Sequence, residues 1–391
     1  MESKRSRDHS TPAPRLIIVG ECDVKLWSLS AAERHRRAFA QVDVIAATDN
    51  AMLGTGPVVA VRADYLLGPD LVAAIAARPG VILTLANGKL AVAAHVAGEA
   101  VESVLELIRA GTIDSTTRVP SGMNLIGPRE LGSTYDIRLR KRATPLLLSY
   151  ADTPLDVLEE KTFGAAYKGA TDFVTKWCWP RPARWATRWA AARSISPNSV
   201  TTASLVLVFL AMWLFATGHF IVAIPVAWAM TFLDTVDGKL ARVTLTSSAW
   251  GNIYDHGIDL IHPPFWWWAW YLGVQPIATA NVVPVIELAL WIILGGYVIG
   301  RLLELVFMTT FKMQTHIWRP IDFYFRTITA RRNPNLAILT ITTLAGYPDV
   351  GFVAVALWTV VSLIFHGVRL VQAAIVHARG GHVVSWLMQE D

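Results

Sequence analysis

The sequence has little charge and little cysteine. Only 17% of its 391 residues are Asp, Glu, Lys or Arg, whereas 53% are hydrophobic. Soluble domains usually carry about 25% charged residues, so this composition argues against a wholly soluble protein. The two cysteines, Cys22 and Cys178, fit no CxxC or metal-ligand spacing and cannot form a disulfide framework. A reducing, cytoplasmic surrounding is therefore expected for the parts of the chain outside a membrane.

Two further patterns are missing. The apolar run Leu16–Val19 is too short for a signal peptide, so we expect the N-terminus to stay in the cytoplasm. The net charge of +5 is not accompanied by a basic and aromatic binding pattern, and no nucleic-acid partner is expected. Residues 1–14 are polar and predict a disordered tail.

Residues 15–150 alternate short β-like runs with helical ones. That order predicts a cytoplasmic α/β domain with a largely parallel sheet. Residues 151–196 are rich in Lys, Arg and Trp and predict a basic amphipathic linker that contains a helix at the membrane interface. A solvated basic linker is the alternative interpretation of this stretch.

The long apolar runs lie after Asn198. They predict that residues 197–391 form an all-α domain of six transmembrane helices, preceded by the interfacial helix. The approximate spans are 198–217, 219–242, 251–272, 282–310, 334–348 and 350–376. The loops at 218–219, 273–281 and 346–349 contain no Lys or Arg, whereas the segments before the first helix, between the fourth and fifth, and after the sixth do contain them. The positive-inside rule then places both termini on the cytoplasmic side of the cell (inner) membrane.

Four carboxylates interrupt this apolar half within 26 residues: Asp234, Asp237, Asp255 and Asp259. Ionisable groups in membrane helices are costly and indicate function by default. At about 100° per residue, the first two lie on one stripe of the second helix and the last two on one face of the third. Both faces can meet near the cytoplasmic side, where hard oxygen ligands suit Mg²⁺ or Mn²⁺.

Small residues are interleaved with these acids. Gly238, Ala241 and Gly251 leave room for a nucleotide against bare helix backbone. An ion-coupled transporter would also place acids in membrane helices, but it does not explain glycines, an alanine and Arg242 at fixed spacing. A transporter is therefore retained only as the alternative.

These residues resemble the signature of the CDP-alcohol phosphotransferases (CDP-alcohol phosphatidyltransferases). Residues 234–259 match DxxDGxxAR, eight residues, then GxxxDxxxD at all eight fixed positions. The segment from Ser196 to Thr201 (SPNSVT) is similar to the family's TPNxxT opening of the first helix, with Ser in place of Thr. Helix starts of ordinary proteins also favour Pro and Asn, so this second match is less specific.

The resemblance implies an EC 2.7.8-type transferase for substituted phosphate groups, acting in phospholipid or inositol-phosphate-type phosphodiester synthesis. A phosphatidyl or phospho-alcohol group would pass from a CDP-linked alcohol or lipid donor to an alcohol acceptor, with release of CMP. It implies two divalent metal ions, Mg²⁺ or Mn²⁺, at Asp234, Asp237, Asp255 and Asp259, with Asp259 also the base for the acceptor hydroxyl. The nucleotide would contact Gly238, Ala241, Arg242, Gly251, Pro197, Asn198 and Thr201. Membrane lipids are further partners, and a homodimer is an open option.

Four arginines are candidates for binding a phosphorylated acceptor. Arg301 lies inside the fourth helix, and Arg326, Arg331 and Arg332 precede the fifth. Positive-inside topology alone is the alternative explanation for the last three. His262, Pro263 and Pro264 are expected to shape the third helix, and the tryptophans at 266–268 and 270 are typical of an outer interfacial belt.

The N-terminal domain resembles sugar-nucleotide-type nucleotidyltransferases in its first strand, the helix at 31–41 and the segment 60–65 (AVRADY). Such domains in related fused enzymes make the CDP-alcohol that the membrane half consumes. Residues 20–25 read GECDVK where a GxGxR-type phosphate loop is required, and two acids there would repel a triphosphate. We favour a degenerate domain, with a bifunctional enzyme as the alternative.

The predicted topology can be tested by labelling single introduced cysteines in intact cells. Positions near Gln275 and Asp349 should react only from outside, because their loops lack Lys and Arg. Positions near Arg331 should react only after the membrane is opened. External labelling near Arg331 would contradict the six-helix arrangement.

Overall fold

The fold is described by a computed structural model that covers residues 13–46, 56–133, 135–136 and 139–388. The predicted tail, residues 1–14, therefore lies outside the described residues except for its last two positions. The chain divides into two compact units. The first comprises the residues up to Asp136 together with Arg142–Ala166 and Val243–Thr246, and the second comprises Ile137–Lys141, Tyr167–Arg242 and Ser247–Asp391.

The chain up to residue 165 contains twelve strands and five helices within the described residues. They are β1 (Arg15–Val19), β2 (Lys25–Leu26), β3 (Leu29–Ser30), α1 (Ala31–Ala40), β4 (Ile45–Ala46), β5 (Val58–Arg62), β6 (Tyr65–Leu67), α2 (Pro69–Ala77), β7 (Val81–Thr84), β8 (Ala91–Val96), α3 (Val101–Ala110), β9 (Asn124–Ile126), α4 (Pro128–Leu131), β10 (Tyr135–Asp136), β11 (Lys141–Arg142), β12 (Leu147–Ser149) and α5 (Leu155–Ala165).

The main sheet of the first unit has six strands in the order β4-β1-β5-β8-β7-β9. Alternate residues of β5 enter two separate cores. Val59 and Val61 join a core with Ile75 of α2, whereas Val58 and Ala60 join a core with Ile108 of α3. Helices thus cover both faces of the sheet, which is why its central strands are continuously apolar.

The predicted α/β class is confirmed, but the sheet is mixed instead of largely parallel. β1 runs parallel to β4 and β5, and β7 runs parallel to β9, while β8 is antiparallel to both of its neighbours. Three of the six residues of β8 are alanine, which has low strand propensity, so the sequence gives only a weak signal for this strand. The Asn87-Gly88 pair between β7 and β8 was the available hairpin signal, and Gly88 has φ +71°.

The second unit is helical. Its helices are α6 (Pro180–Ala192), α7 (Pro197–Ala216), α8 (Phe220–Val243, of which the last residue belongs to the first unit), α9 (Ala249–Val274), α10 (Ile286–Phe311), α11 (Pro320–Phe325), α12 (Arg332–Leu344) and α13 (Pro348–Ala378). Each of the six segments predicted to span the membrane is a helix, namely α7, α8, α9, α10, α12 and α13.

Among the described residues, four helices are long and apolar enough to cross a membrane: α7, α8, α10 and α13. α9 has 26 residues, but Asp255 and Asp259 and its histidines lower its mean hydropathy. α12 has 13 residues, which rise about 20 Å where a hydrocarbon core is about 30 Å thick. All six helices predicted to span the membrane are therefore present among the described residues, and four of them are candidate membrane spans.

The tryptophans of α9 do not form the predicted outer belt. Trp266, Trp267 and Trp270 are buried in the helical core, whereas Trp268 is about half exposed. The indole N–H of Trp266 donates to the carbonyl oxygen of Val208 in α7 at 3.0 Å. An indole can be buried once its N–H has such a partner, and that partner lies on another helix.

Candidate functional site

Three carboxylates of the motif converge in the second unit. α8 supplies Asp234, and α9 supplies Asp255 and Asp259, which are four residues apart and so share a helix face. One oxygen from each of the three lies within 4.8 Å of the others. Such a group of hard oxygen donors is the kind of site that binds Mg²⁺ or Mn²⁺.

Asp237, the fourth acid of the motif, lies outside this group of three. Its side chain is buried, and it accepts a hydrogen bond from the hydroxyl of Thr201 in α7 at 2.5 Å. The same hydroxyl lies 3.1 Å from the carbonyl oxygen of Pro197. The structure thus brings Thr201 to the motif, and the role of Asp237 as a metal ligand stays a prediction.

Arg332 compensates the charge of the carboxylate group. From the start of α12 its guanidinium donates to Asp234 and, at 2.5 Å, to Asp259. Neighbouring carboxylates repel one another in an apolar surrounding unless a cation neutralises them. Arg332 is therefore bound to the acids and is less available to an acceptor phosphate than the sequence suggested. Of its two partners Asp259 is the more open, with 41% of its side chain exposed against 17% for Asp234.

The predicted nucleotide residues lie where α7 begins, α8 ends and α9 begins. Ser196 caps α7 by accepting from the backbone N–H of Ser199 at 3.1 Å. A Cβ atom added to Gly251 would lie 3.0 Å from Oδ1 of Asn198. At Gly238 the added atom would lie 3.1 Å from a guanidinium nitrogen of Arg242. Both glycines thus allow close approach of polar groups.

A cavity of about 760 Å³ opens onto the carboxylates. Pockets for small-molecule ligands and cofactors have volumes of about 300–1,000 Å³. Its basic lining residues are Arg140, Lys168, Lys239, Arg242, Arg301, Arg326, Arg331 and Arg332, and its acidic ones are Asp172, Asp234, Asp255, Asp259 and Glu304. Of the predicted nucleotide residues, Gly238, Ala241 and Arg242 line it. This excess of positive charge suits a ligand that carries phosphate groups.

A second charge cluster surrounds Glu304 of α10. Glu304 accepts from the guanidinium of Arg331 and from His316 at 3.2 Å, and it forms an ion pair with Arg301 at 3.2 Å. Two of the four candidate acceptor-binding arginines are thus held by one acid. Glu304 was not singled out from the sequence, although a carboxylate in an apolar helix is itself a signal of function.

Arg326 differs from the other three arginines. Its Nε and Nη1 atoms are buried and have no hydrogen-bond partner within the described part of the chain, and its side chain lines the cavity. Burial and the neighbouring charge of Arg331 lower the pKa of Arg326 to about 9, so the guanidinium remains protonated near neutral pH. Buried donors without a partner are costly, which makes Arg326 the best placed of the four to bind an anion.

Lys168 and Tyr297 are cavity residues that the sequence did not reveal. Burial and the charges of Arg140 and Arg242 lower the pKa of Lys168 to about 8. The hydroxyl of Tyr297 in α10 donates to the carbonyl oxygen of Leu260 at 2.7 Å. In a regular helix the N–H of residue 264 would donate to the carbonyl oxygen of Leu260, but Pro264 has no N–H. The hydroxyl of Tyr297 donates to this oxygen instead, one residue after Asp259. Pro264 thus changes the hydrogen bonding of α9 beside the site.

The fold and site together define a membrane protein with a carboxylate group suited to divalent cations and a basic cavity suited to phosphate groups. Residues 194–330 match the family model described as CDP-alcohol phosphatidyltransferase, and the match contains the whole motif. It leaves the α/β unit unassigned. No curated protein matches the chain.

The chain therefore carries a CDP-alcohol phosphatidyltransferase domain at residues 194–330. It is a transferase of the EC 2.7.8 type and an integral membrane protein. The family implies a CDP-alcohol donor and an alcohol acceptor. The carboxylates Asp234, Asp255 and Asp259 are consistent with the metal binding typical of that family.

Substitution of the carboxylates should separate metal binding from folding. Asp234→Asn or Asp255→Asn should weaken Mn²⁺ binding, measured by calorimetry in detergent, by at least about tenfold, since even indirect partners of a metal contribute that much. The thermal midpoint should stay equal or rise, because one repelling charge is lost. Glu287→Gln, at an exposed position of α10 away from the cavity, is the control. Unchanged Mn²⁺ affinity in both aspartate variants would contradict a metal site.

Proposed function

We propose that this protein transfers a phosphatidyl or phospho-alcohol group from a CDP-linked donor to an acceptor hydroxyl and releases CMP. The observation that carries the proposal is the carboxylate group of Asp234, Asp255 and Asp259 at one wall of a basic cavity. A transporter needs acids along a path, but it needs no nucleotide-sized cavity with an excess of guanidinium groups. The enzyme hypothesis therefore uses more of the site.

The reaction requires an oxygen nucleophile to approach a negatively charged diphosphate. Asp234, Asp255 and Asp259, with Asp237 beside them, would hold two divalent cations. Bound there, Mg²⁺ or Mn²⁺ supplies charge neutralisation for the diphosphate and for departing CMP. Lys168, Lys239 and Arg242 line the same cavity and can bind the remaining phosphate charge.

Asp259 is proposed as the general base. It takes the proton of the acceptor hydroxyl, the acceptor oxygen bonds to the phosphorus that carries the alcohol, and the bridging P–O bond to CMP breaks. The greater exposure of Asp259 supports this role, because an acceptor can reach it. No covalent enzyme intermediate is needed, and inversion at phosphorus is the expected stereochemical result.

The orientation in the membrane is part of the proposal. We infer that the six helices α7, α8, α9, α10, α12 and α13 cross the cell membrane and that both termini and the site face the cytoplasm. The Lys and Arg distribution supports this orientation. The short α12 can cross as part of a bundle, because α13, against which it packs, is longer than the hydrocarbon core is thick.

The α/β unit is proposed to be a degenerate nucleotidyltransferase-like domain. After β1 the chain forms the hairpin β2–β3, whose two turn residues, Trp27 and Ser28, both have positive φ. Trp27 is buried, and its indole N–H donates to the hydroxyl of Thr162 at 2.8 Å. The anchored Trp27 side chain fixes the conformation of this loop. In a nucleotidyltransferase the corresponding loop would enclose a triphosphate. CTP turnover by the full-length protein would support the bifunctional alternative.

The roles of Asp259 as base and as metal ligand can be separated. The measurement is CMP release by purified protein with metal and a panel of CDP-alcohols and acceptors, run beside calorimetry of donor binding. If Asp259 acts mainly as the base, Asp259→Asn should lower turnover about 10²–10⁴-fold, the value of a well-placed base, while donor and metal affinity stay close to wild type. Donor binding that weakens together with turnover would remove Asp259 from the base role. Absence of CMP release from wild type with every donor would contradict the proposed function.

Arg326 should select phosphorylated acceptors. A hydrogen bond to a charged group contributes about 1.5–3 kcal/mol, so Arg326→Gln should raise the acceptor KM about 10- to 100-fold and leave the donor KM nearly unchanged. The effect should disappear for acceptors without phosphate. Arg379→Gln, at the exposed cytoplasmic end of α13, is the control for positive charge in general. Equal effects on phosphorylated and unphosphorylated acceptors would contradict this role.

A further inference from the structure

The turn between α8 and α9 is bound by one helix of the first unit. Two side chains of α1 and that of its C-cap residue Gln41 donate to three successive carbonyl oxygens: Arg34 to Val243 at 2.8 Å, Arg37 to Thr244 at 3.1 Å and Gln41 to Leu245 at 3.2 Å. Residues 34, 37 and 41 are three and four positions apart, so they lie on one face of the helix. Donors and acceptors alike belong to the first unit.

The bound segment is half of the motif's spacer. Eight residues, 243–250, separate the two halves of the signature, and Val243–Thr246 are the first four of them. Val243 is also the last residue of α8, where helix carbonyls have no partner within the helix. Guanidinium groups at a helix C-terminus satisfy such carbonyls and interact favourably with the helix dipole.

The turn adopts a conformation that needs support. Leu245 has φ +55°, a left-handed conformation that costs free energy for a residue with a side chain. Its side chain is partly buried. Its carbonyl oxygen accepts the hydrogen bond from Gln41 at 3.2 Å. This hydrogen bond is one interaction that stabilises the turn in its left-handed form.

Arg34 is the central contact. It is buried, with 8% of its surface exposed, and burial lowers its pKa from the usual arginine value. Arg36, two residues further along α1, is exposed where Arg34 is buried. Its side chain is 54% exposed, and its guanidinium lies 3.8 Å from the carboxylate of Glu33. The chain thus offers a matched pair of arginines on the same helix.

We propose that α1 is a clamp on the α8–α9 turn and that Arg34 is a positioning residue for the carboxylate group. Asp234 lies in α8 and Asp255 lies in α9, and the turn bound by α1 joins these two helices. The conformation of the turn therefore affects the distance between the two carboxylates. A change in the turn moves one half of the motif against the other, and catalysis is sensitive to displacements of about 1 Å. This proposal rests on the proposed function for its activity readout, and it gives the α/β unit a role without nucleotide chemistry.

The experiment compares full-length Arg34→Ala, Arg34→Lys and Arg36→Ala with wild type. Amide hydrogen exchange at residues 243–248 should become at least about tenfold faster in Arg34→Ala, because local opening is no longer opposed. Mn²⁺ affinity should fall about tenfold, and CMP release should fall about tenfold or more in kcat with a smaller change in donor KM. Arg34→Lys should recover part of each effect, and Arg36→Ala should match wild type.

The outcomes separate the two proposals. If exchange and Mn²⁺ affinity change as expected while wild type releases no CMP, the clamp stands and the proposed function fails. If exchange at 243–248 and Mn²⁺ affinity are unchanged in Arg34→Ala, or if Arg36→Ala changes them equally, the clamp is overturned. Should Arg34→Ala not fold, the double variant Arg37→Gln/Gln41→Ala tests the clamp by the same measurements. Unchanged exchange in that variant overturns it as well.

Discussion

Carboxylates inside an apolar helical bundle need compensating positive charge, and much of the second unit is arranged around that need. Asp234 and Asp259 share Arg332, and Glu304 is surrounded by Arg301, Arg331 and His316. Leaving any of these acids unpaired would carry the free-energy cost of an isolated buried charge. The basic residues at the start of α12 and just before it therefore supply partners of acids in three helices: Arg332 pairs with Asp234 of α8 and Asp259 of α9, and Arg331 pairs with Glu304 of α10.

This arrangement connects metal binding with the start of α12. A divalent cation bound by Asp234 and Asp259 would compete with Arg332, the first residue of α12, for the same oxygens. Arg326 is different, because its buried Nε and Nη1 atoms have no hydrogen-bond partner in the described residues. Arg332 thus pairs with Asp234 and Asp259, Arg331 pairs with Glu304, and Arg326 is placed to bind an anionic ligand.

The described contacts of the first unit hold its own loops and turns in place. Its loop after β1 is anchored by the buried Trp27. Arg34 and Arg37 of α1, and Gln41 at its C-cap, donate to backbone carbonyls. A loop that is already ordered cannot readily change its conformation around a ligand, but little further conformational entropy is lost when another group packs against it.

The sequence by itself determined the six helices, the α/β class and the carboxylate group, because these follow from local periodicity and from the i, i+4 spacing of Asp255 and Asp259. Only the tertiary structure decided that β8 is antiparallel and that the tryptophans of α9 enter the core. It also decided which partner each charged group takes, including Thr201 for Asp237 and Arg332 for Asp234. These outcomes depend on side chains from distant parts of the chain, such as the pair Trp266 and Val208, 58 residues apart. Sequence periodicity predicts which face of a helix or strand is apolar or charged. The group that contacts that face is determined by how the helices and strands pack together.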